Sequence, residues 1–144
     1  MFMIDYKQVN WWYWLATACA LTAGFSGFET GFLLAVGISV IQLVHFLVRE
    51  RSLTAFPVQV RFVVLLYMLA AVVDPTQILF GIAVAGTWAR SIFGYCLMAR
   101  TVSLFPWNLR TPFSVNLLTR TYFSRPVRGN IMQGLPPVPQ AAKP

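Results

Sequence analysis

Hydrophobic positions in this chain come in four long blocks that are separated by short polar junctions. The blocks cover residues 11–28, 30–48, 57–73 and 76–99. The first two are uncharged over eighteen and nineteen residues, and about 18 apolar residues are enough to cross a bilayer as a helix. The third is long enough only if its helix includes Arg61 with a snorkelling side chain, and the fourth contains Arg90. The pattern predicts four transmembrane helices.

Each junction carries residues that are typical of turns. Glycines flank Glu29 in the first junction. In the third, Pro75 follows Asp74, and proline both disfavours a helical residue before it and suits the first turn of the next helix. The second junction holds Arg49 and closes on Pro57, which again fits a first helical turn. The junctions therefore predict two hairpins joined by an arginine-rich turn.

Composition and charge fit a chain whose main solvent is lipid. Hydrophobic residues make up 58% of the sequence and charged residues 10%, whereas soluble domains carry about 25% charged residues. All eleven lysines and arginines fall on one side of a four-helix threading, and only Glu29 and Asp74 fall on the other. The positive-inside rule explains the net charge of +7 without a nucleic-acid partner. We expect an all-α integral membrane protein of the bacterial inner (plasma) membrane, multi-pass, with four transmembrane helices as two hairpins and both termini cytoplasmic.

A cleaved signal peptide is the alternative interpretation of the N-terminus, since small residues surround Cys19 as they do at a cleavage site. However, Asp5 and Lys7 cancel in the leading segment, and the aromatic residues 11–14 stand where an aliphatic core is expected. Aromatic side chains of this kind fit the interfacial belt of a transmembrane helix. We therefore expect the first helix to remain part of the protein.

The chain changes character after residue 100, where arginines are mixed with apolar and aromatic residues. Buried rings and attraction to anionic lipid would hold residues 101–130 on the membrane as a basic, aromatic, amphipathic interfacial segment. The alternative is a tail that docks on the chain's own helices. The arginines predicted to contact the membrane surface are Arg110, Arg120, Arg125 and Arg128. Residues 131–144 are rich in proline and are predicted to be disordered.

Ionisable and amide side chains inside the apolar blocks are the candidates for a ligand-binding site. Gln42, His45 and Arg49 are spaced at i, i+3 and i+7, so they share one side of the second helix. Arg90 lies about 20 Å into the fourth helix, at a similar depth. Together they predict a small polar pocket for an anionic lipid headgroup, a quinone carbonyl or a substrate carboxylate. In the other interpretation Arg49 lies at the interface, Arg90 snorkels, and Gln42 and His45 bond to neighbouring helices.

Glycines in the fourth block predict a close helix contact. Gly86 and Gly94 are spaced with Arg90 at i, i+4 and i+8, and Gly81 lies nearby. Small residues at such spacing let a second helix approach, either inside the bundle or from a partner subunit.

Sequence signatures of catalysis are absent, because the chain lacks a metalloprotease motif, a phosphate loop, a nucleophile elbow and a Cys-x-x-Cys pair. Two isolated cysteines and one histidine do not suggest a metal site, and a lone histidine cannot supply both axial ligands of a haem. We expect no catalytic residue, metal or cofactor. The leading hypothesis is a non-catalytic accessory, assembly or stabilising subunit of a larger membrane complex. The partners expected are anionic lipid headgroups and either a membrane protein or further copies of the chain. The alternatives are an oligomeric small transporter or channel subunit, or a lipid- or quinone-binding component of a membrane enzyme.

Overall fold

The computed structural model describes residue 4, residues 6–109 and residues 111–125. That part of the chain is all-helical, with six α-helices and no strands, so the predicted all-α class is confirmed. A short 3-10 turn, Pro106–Asn108, precedes the last helix. The helices are α1 (Val9–Phe25), α2 (Thr30–Glu50), α3 (Phe56–Val73), α4 (Ile78–Phe93), α5 (Leu97–Ser103) and α6 (Val115–Phe123). Residues 131–144 lie outside the described residues, so their predicted disorder stays a prediction.

The first four helices form a ring in which α1 and α3 each pack against both α2 and α4. Side-chain contacts give the direction of α1 relative to α2. Tyr13 bonds to His45 and Gln42 donates to Thr17, so the contact positions run in opposite order along the two helices. The α1–α2 pair is therefore an antiparallel hairpin, as the sequence predicts.

Glycines allow the tight turn and the close approach within the α1–α2 hairpin. Gly27 has a φ of +112°, a backbone conformation that L side chains rarely adopt. A Cβ on Gly31 would lie 2.6 Å from the backbone nitrogen of Gly24, so only glycine lets α2 start this close to α1. The residues around Glu29 thus do more than form a turn, because they also set the distance between the two helices.

The apolar core extends through the ring, from Trp14 and Val60 at one end to Phe32 and Phe80 beside the α1–α2 and α3–α4 turns. Phe32 and Phe80 stack with their ring centroids 4.2 Å apart, and Leu21 is fully buried. The hydroxyl of Tyr67 donates to the carbonyl of Leu79 at 2.7 Å and ties α3 to the start of α4. These contacts bring α2 and α4 together across one end of the bundle.

Asp74 organises the turn between α3 and α4. Its Oδ1 accepts from the backbone N–H and the hydroxyl of Thr76, and its Oδ2 accepts from the N–H of Leu79. The hydrogen bond from the Thr76 hydroxyl is the main reason that the pKa of Asp74 lies below its usual range. Because this turn takes up residues 74–77, α4 begins at Ile78 and Pro75 lies in the turn, which corrects the predicted first-turn position of Pro75.

The fourth block is not one helix. The predicted helix over residues 76–99 is not continuous, because α4 ends at Phe93 and α5 leaves at 95° to it. Gly94 takes a left-handed conformation with a φ of +73° and ends α4. Cys96 then caps α5, its Sγ accepting from the N–H of Ala99 at 3.4 Å. Glycine's freedom at a helix end outweighs the continuous apolar pattern here.

Two of the six helices, α2 and α3, are long and apolar enough to cross a membrane. The bent pair of α4 and α5 adds a third candidate if it is counted as one span. α1 has 17 residues. Large apolar side chains that point away from the bundle include Leu33, Ile41, Val44, Phe62, Leu66, Leu69 and Val72. A membrane protein with two or three candidate spans therefore fits the structure.

Candidate functional site

The three predicted site residues on α2 do not converge on one pocket. Gln42 is buried, and its Nε2 donates to the hydroxyl of Thr17 at 3.3 Å, while its Oε1 has no partner among the described residues. His45 is exposed, and its Nδ1 lies 2.8 Å from the hydroxyl of Tyr13. Gln42 and His45 thus both bond to α1, as the second interpretation of these residues expects.

The two arginines of the predicted pocket point to different surroundings. Arg49 is exposed, and its Nε lies 3.9 Å from the carboxylate of Glu50, a loose surface pair. Arg90 is half-buried on α4 and lines a groove that Gln42, His45 and Arg49 do not line. α4 packs mainly on α1 and α3, which leaves α2 on the far side of the ring.

Arg61 is a buried cation within the four-helix ring, and the predicted snorkelling of its side chain is wrong. The residue is 5% exposed, and its guanidinium lies over the ring of Phe46 at 3.4 Å. One terminal nitrogen donates to the carbonyl of Pro57 at 2.9 Å, and the other donates to Oδ1 of Asn10. The contacts join α1, α2 and α3, and they supply the buried guanidinium with an aromatic face and two hydrogen-bond acceptors inside the bundle.

Arg61 has charged and polarisable neighbours of both kinds. Arg49 and Arg90 act on it as like charges, whereas Cys96 and Glu50 act in the opposite direction. The Nε of Arg61 is buried without a hydrogen-bond partner among the described residues. Hydrogen bonds and the cation–π contact therefore hold the guanidinium, and no carboxylate forms a salt bridge with it within the described part of the chain.

A second buried arginine, Arg100, fastens α6 to α5. One of its terminal nitrogens donates to the carbonyl of Thr121 at 2.7 Å and to the hydroxyl of Ser124 at 2.8 Å. The guanidinium lies 4.3 Å from the ring centroid of Tyr95. Tyr95 in turn donates its hydroxyl to the carbonyl of Tyr122 at 2.9 Å. The tail helix is thus held by contacts with the chain's own helices, which is the alternative interpretation of this segment.

The arginines that were predicted to contact the membrane surface occupy different places. Arg125 is exposed and Arg120 is half-buried. Arg110 and Arg128 lie outside the described residues. Contact of these arginines with anionic lipid stays a prediction, alongside the docking of α6.

Gln59 forms a junction that the sequence analysis missed. Its Oε1 accepts from the indole of Trp107 at 2.9 Å and from the amide of Asn108 at 2.7 Å. Its Nε2 donates to the carbonyl of Thr54 at 2.6 Å. Gln59 therefore connects the α2–α3 turn to the 3-10 turn after α5. Gln59 and Trp107 are 48 positions apart in the sequence, so no local pattern would reveal this contact.

The glycines of α4 have three different roles in the structure. Gly94 ends the helix, as described above. A Cβ on Gly81 would lie 3.8 Å from the ring of Phe25, an ordinary contact with α1. A Cβ on Gly86 would meet nothing within 4 Å, so a neighbouring helix of the described chain does not require a glycine there.

Gly86 belongs instead to a groove of about 50 Å³ between α3 and α4. The buried side chains of Trp14, Val64 and Met68 line it, with Ile82 on the α4 side. Residues of α5, which turns away beneath α4, line it near Arg90. The lining is apolar except near Arg90, so the groove is suited to a hydrocarbon chain with a polar end.

The described residues contain no group of three or more histidine, cysteine, aspartate or glutamate side chains that could hold a metal ion. Comparison with models of protein families, with curated proteins and with solved structures gave no match for this chain. Its function is therefore inferred from its own residues and their geometry.

Proposed function

We propose that this chain is a small multi-pass protein of a bacterial inner membrane that serves as a non-catalytic accessory, assembly or stabilising subunit of a larger membrane complex. The outward face of α2 is the observation that carries the proposal. Gly37, Ile41 and Val44 lie exposed on this face, and His45 lies at its edge. An apolar helix face with a small residue at its centre and a hydrogen-bonding group beside it suits contact with another membrane helix.

Gly37 gives the strongest indication of a partner. At 100° per residue, Gly37, Ile41, Val44 and Val48 fall within about 60° of one another around α2. A Cβ on Gly37 would meet nothing within 4 Å, so packing against the described residues does not require a glycine there. Glycine costs a helix about 1 kcal/mol relative to alanine. A partner helix that approaches closely at Gly37 would offset this cost.

His45 also indicates that a partner contacts the outward face of α2. Polar side chains at membrane depth normally face a bundle interior or a cavity, because lipid offers them no hydrogen bonds. Tyr13 occupies one ring nitrogen of His45, and the residue is nevertheless exposed. A partner that covers this face would place the imidazole in a protein interior.

The proposed placement has four spans, with both termini and the arginine-rich turn in the cytoplasm. α1 and α4, at 17 and 16 residues, reach about 24 to 26 Å, somewhat less than the hydrocarbon core of about 30 Å. α1 packs along α2 and α4 packs along α3, and the indole of Trp11 donates to the carbonyl of Ser91 at 2.8 Å, tying the start of α1 to the end of α4. The asymmetry of positive charge supports this orientation.

Thiol labelling of intact cells tests the placement. In a Cys19→Ser, Cys96→Ser background, Glu29→Cys should react with a membrane-impermeant maleimide added outside, because the first turn is exposed. Leu53→Cys, which lies on an exposed part of the second turn, should react only after permeabilisation. Labelling of Leu53→Cys in intact cells would contradict the orientation.

Purification in a mild detergent tests the accessory role. The parent chain should return a second membrane protein in fixed stoichiometry, and Gly37→Leu should lower its recovery about tenfold, since the bulky side chain holds the partner helix away. Ala70→Leu, on an exposed part of α3, is the matched control and should retain the partner. Recovery of the parent as a homo-oligomer alone would favour the transporter or channel alternative and contradict the accessory role.

A further inference from the structure

The groove between α3 and α4 follows α4 over most of the depth of one membrane leaflet. Its lining on α4 extends from Ile82 to Arg90, and the Tyr67–Leu79 hydrogen bond joins the two helices beyond the end opposite Arg90. The eight residues of rise from Ile82 to Arg90 correspond to about 12 Å. Half of a hydrocarbon core of about 30 Å is about 15 Å, so the groove covers most of the depth of a single leaflet.

The side chains along the groove match a hydrocarbon chain. Trp14 and Met68 are buried at its base, and Ile82 is 48% exposed at its rim. Gly86 leaves open space in the α4 wall, because a Cβ there would meet nothing within 4 Å. Apolar atoms can therefore lie against both helices without displacing a side chain.

Among the described residues that line this groove, Arg90 is the only charged one. It lies one turn before the end of α4, where a headgroup of the adjacent leaflet would be found. Among the described residues, Arg90 has neither a carboxylate within salt-bridge distance nor a hydrogen-bond partner. Arg61 and Arg49 add positive charge at the same end of the bundle, so the position attracts an anion.

We propose that this groove binds one anionic phospholipid of the cytoplasmic leaflet, with its phosphate at Arg90 and one acyl chain between α3 and α4. The charge of Arg90 selects an anionic headgroup over a neutral one. The open space at Gly86 admits the chain. This inference uses the membrane placement proposed above, but it does not require a partner protein, so the two proposals can fail separately.

Native mass spectrometry of the purified, delipidated chain in detergent tests the site with two probes of matched acyl length, phosphatidylglycerol and phosphatidylcholine. The parent should bind one phosphatidylglycerol about fivefold or more tightly than phosphatidylcholine, the preference expected of one arginine near the membrane surface. Arg90→Gln should remove this preference. Arg90→Lys should retain part of it, because an ammonium also attracts a phosphate.

A second pair of variants tests where the chain lies. Gly86→Leu should lower the binding of both lipids about tenfold, because the new side chain fills the groove. Ala85→Leu places a leucine one residue earlier, at an exposed position that does not line the groove, and should leave lipid binding unchanged. Arg51→Gln removes an exposed arginine and controls for net charge.

Three outcomes would overturn the proposal. The first is equal binding of the two lipids by the parent, which decides the matter even if a variant fails to fold. The second is a phosphatidylglycerol preference that survives in Arg90→Gln. The third is preferential binding of a neutral quinone, added as a third probe in competition with phosphatidylglycerol and displacing it from the parent.

Discussion

Replacing Arg61 with lysine is expected to lower the free energy of unfolding of the bundle by about 3 kcal/mol, although the positive charge is kept. Lysine presents one ammonium and cannot both reach Asn10 and Pro57 and lie flat over Phe46. Two hydrogen bonds made by a charged group are therefore lost or weakened. Each such hydrogen bond contributes about 1.5 to 3 kcal/mol to stability. The charge that remains is still buried.

Arg61→Met should cost less than Arg61→Lys, because methionine removes the buried charge together with its contacts. Arg49→Lys, at an exposed position with a loose pair to Glu50, is the matched control and should change stability by less than about 0.5 kcal/mol. Thermal unfolding in detergent, followed by circular dichroism, measures all three. Similar, small effects of lysine at positions 61 and 49 would mean that Arg61 reaches the interface after all.

Replacing Arg100 with glutamine is expected to release α6 from α5 and to speed its digestion about a hundredfold. The hydrogen bonds to Thr121 and Ser124 and the contact with Tyr95 all depend on the guanidinium. Their loss costs about 3 kcal/mol, which changes the equilibrium constant for local opening of α6 by about a hundredfold. Chymotrypsin cleavage after Tyr122 and Phe123, followed in inverted membrane vesicles, measures the release.

Arg125→Gln is the matched control for this experiment. Arg125 is exposed, so its loss should leave the cleavage rate unchanged if docking on α5 holds the tail. If attraction to anionic lipid holds the tail instead, Arg125→Gln should also accelerate cleavage, by about fivefold for the loss of one surface arginine. Equal effects of Arg100→Gln and Arg125→Gln would contradict the docking of α6.

The apolar blocks predicted the existence of the first four helices well, because burial in lipid or in a bundle favours apolar side chains at most positions of a block. Their ends were harder to predict. Gly94 interrupts the fourth block because one residue in a left-handed conformation is enough to end a helix, whatever the hydropathy of the residues that follow. A glycine spaced for helix packing and a glycine that ends a helix look alike in a single sequence.

The sequence analysis identified the unusual polar residues, but it did not predict what they contact. Arg61 is buried because Asn10 and Phe46 meet it from two other helices, 51 and 15 positions away in the sequence. Gln42 and His45 share one side of α2, but their partners on α1 decide that they are not directed at Arg90. Long-range partners of this kind leave no periodic signal in the sequence. The positions of the charges along the chain, in contrast, can be read from the sequence directly.

Site-specific photocrosslinking from α2 tests the accessory role most directly. A photoreactive residue at Val44, on the outward face of α2, is compared in cells with one at Leu69, on the outward face of α3. The account predicts one discrete adduct with a second protein from position 44, little from position 69, and loss of that adduct when Gly37→Leu is added. Lipid adducts alone from both positions, or a protein adduct that persists with Gly37→Leu, would contradict it.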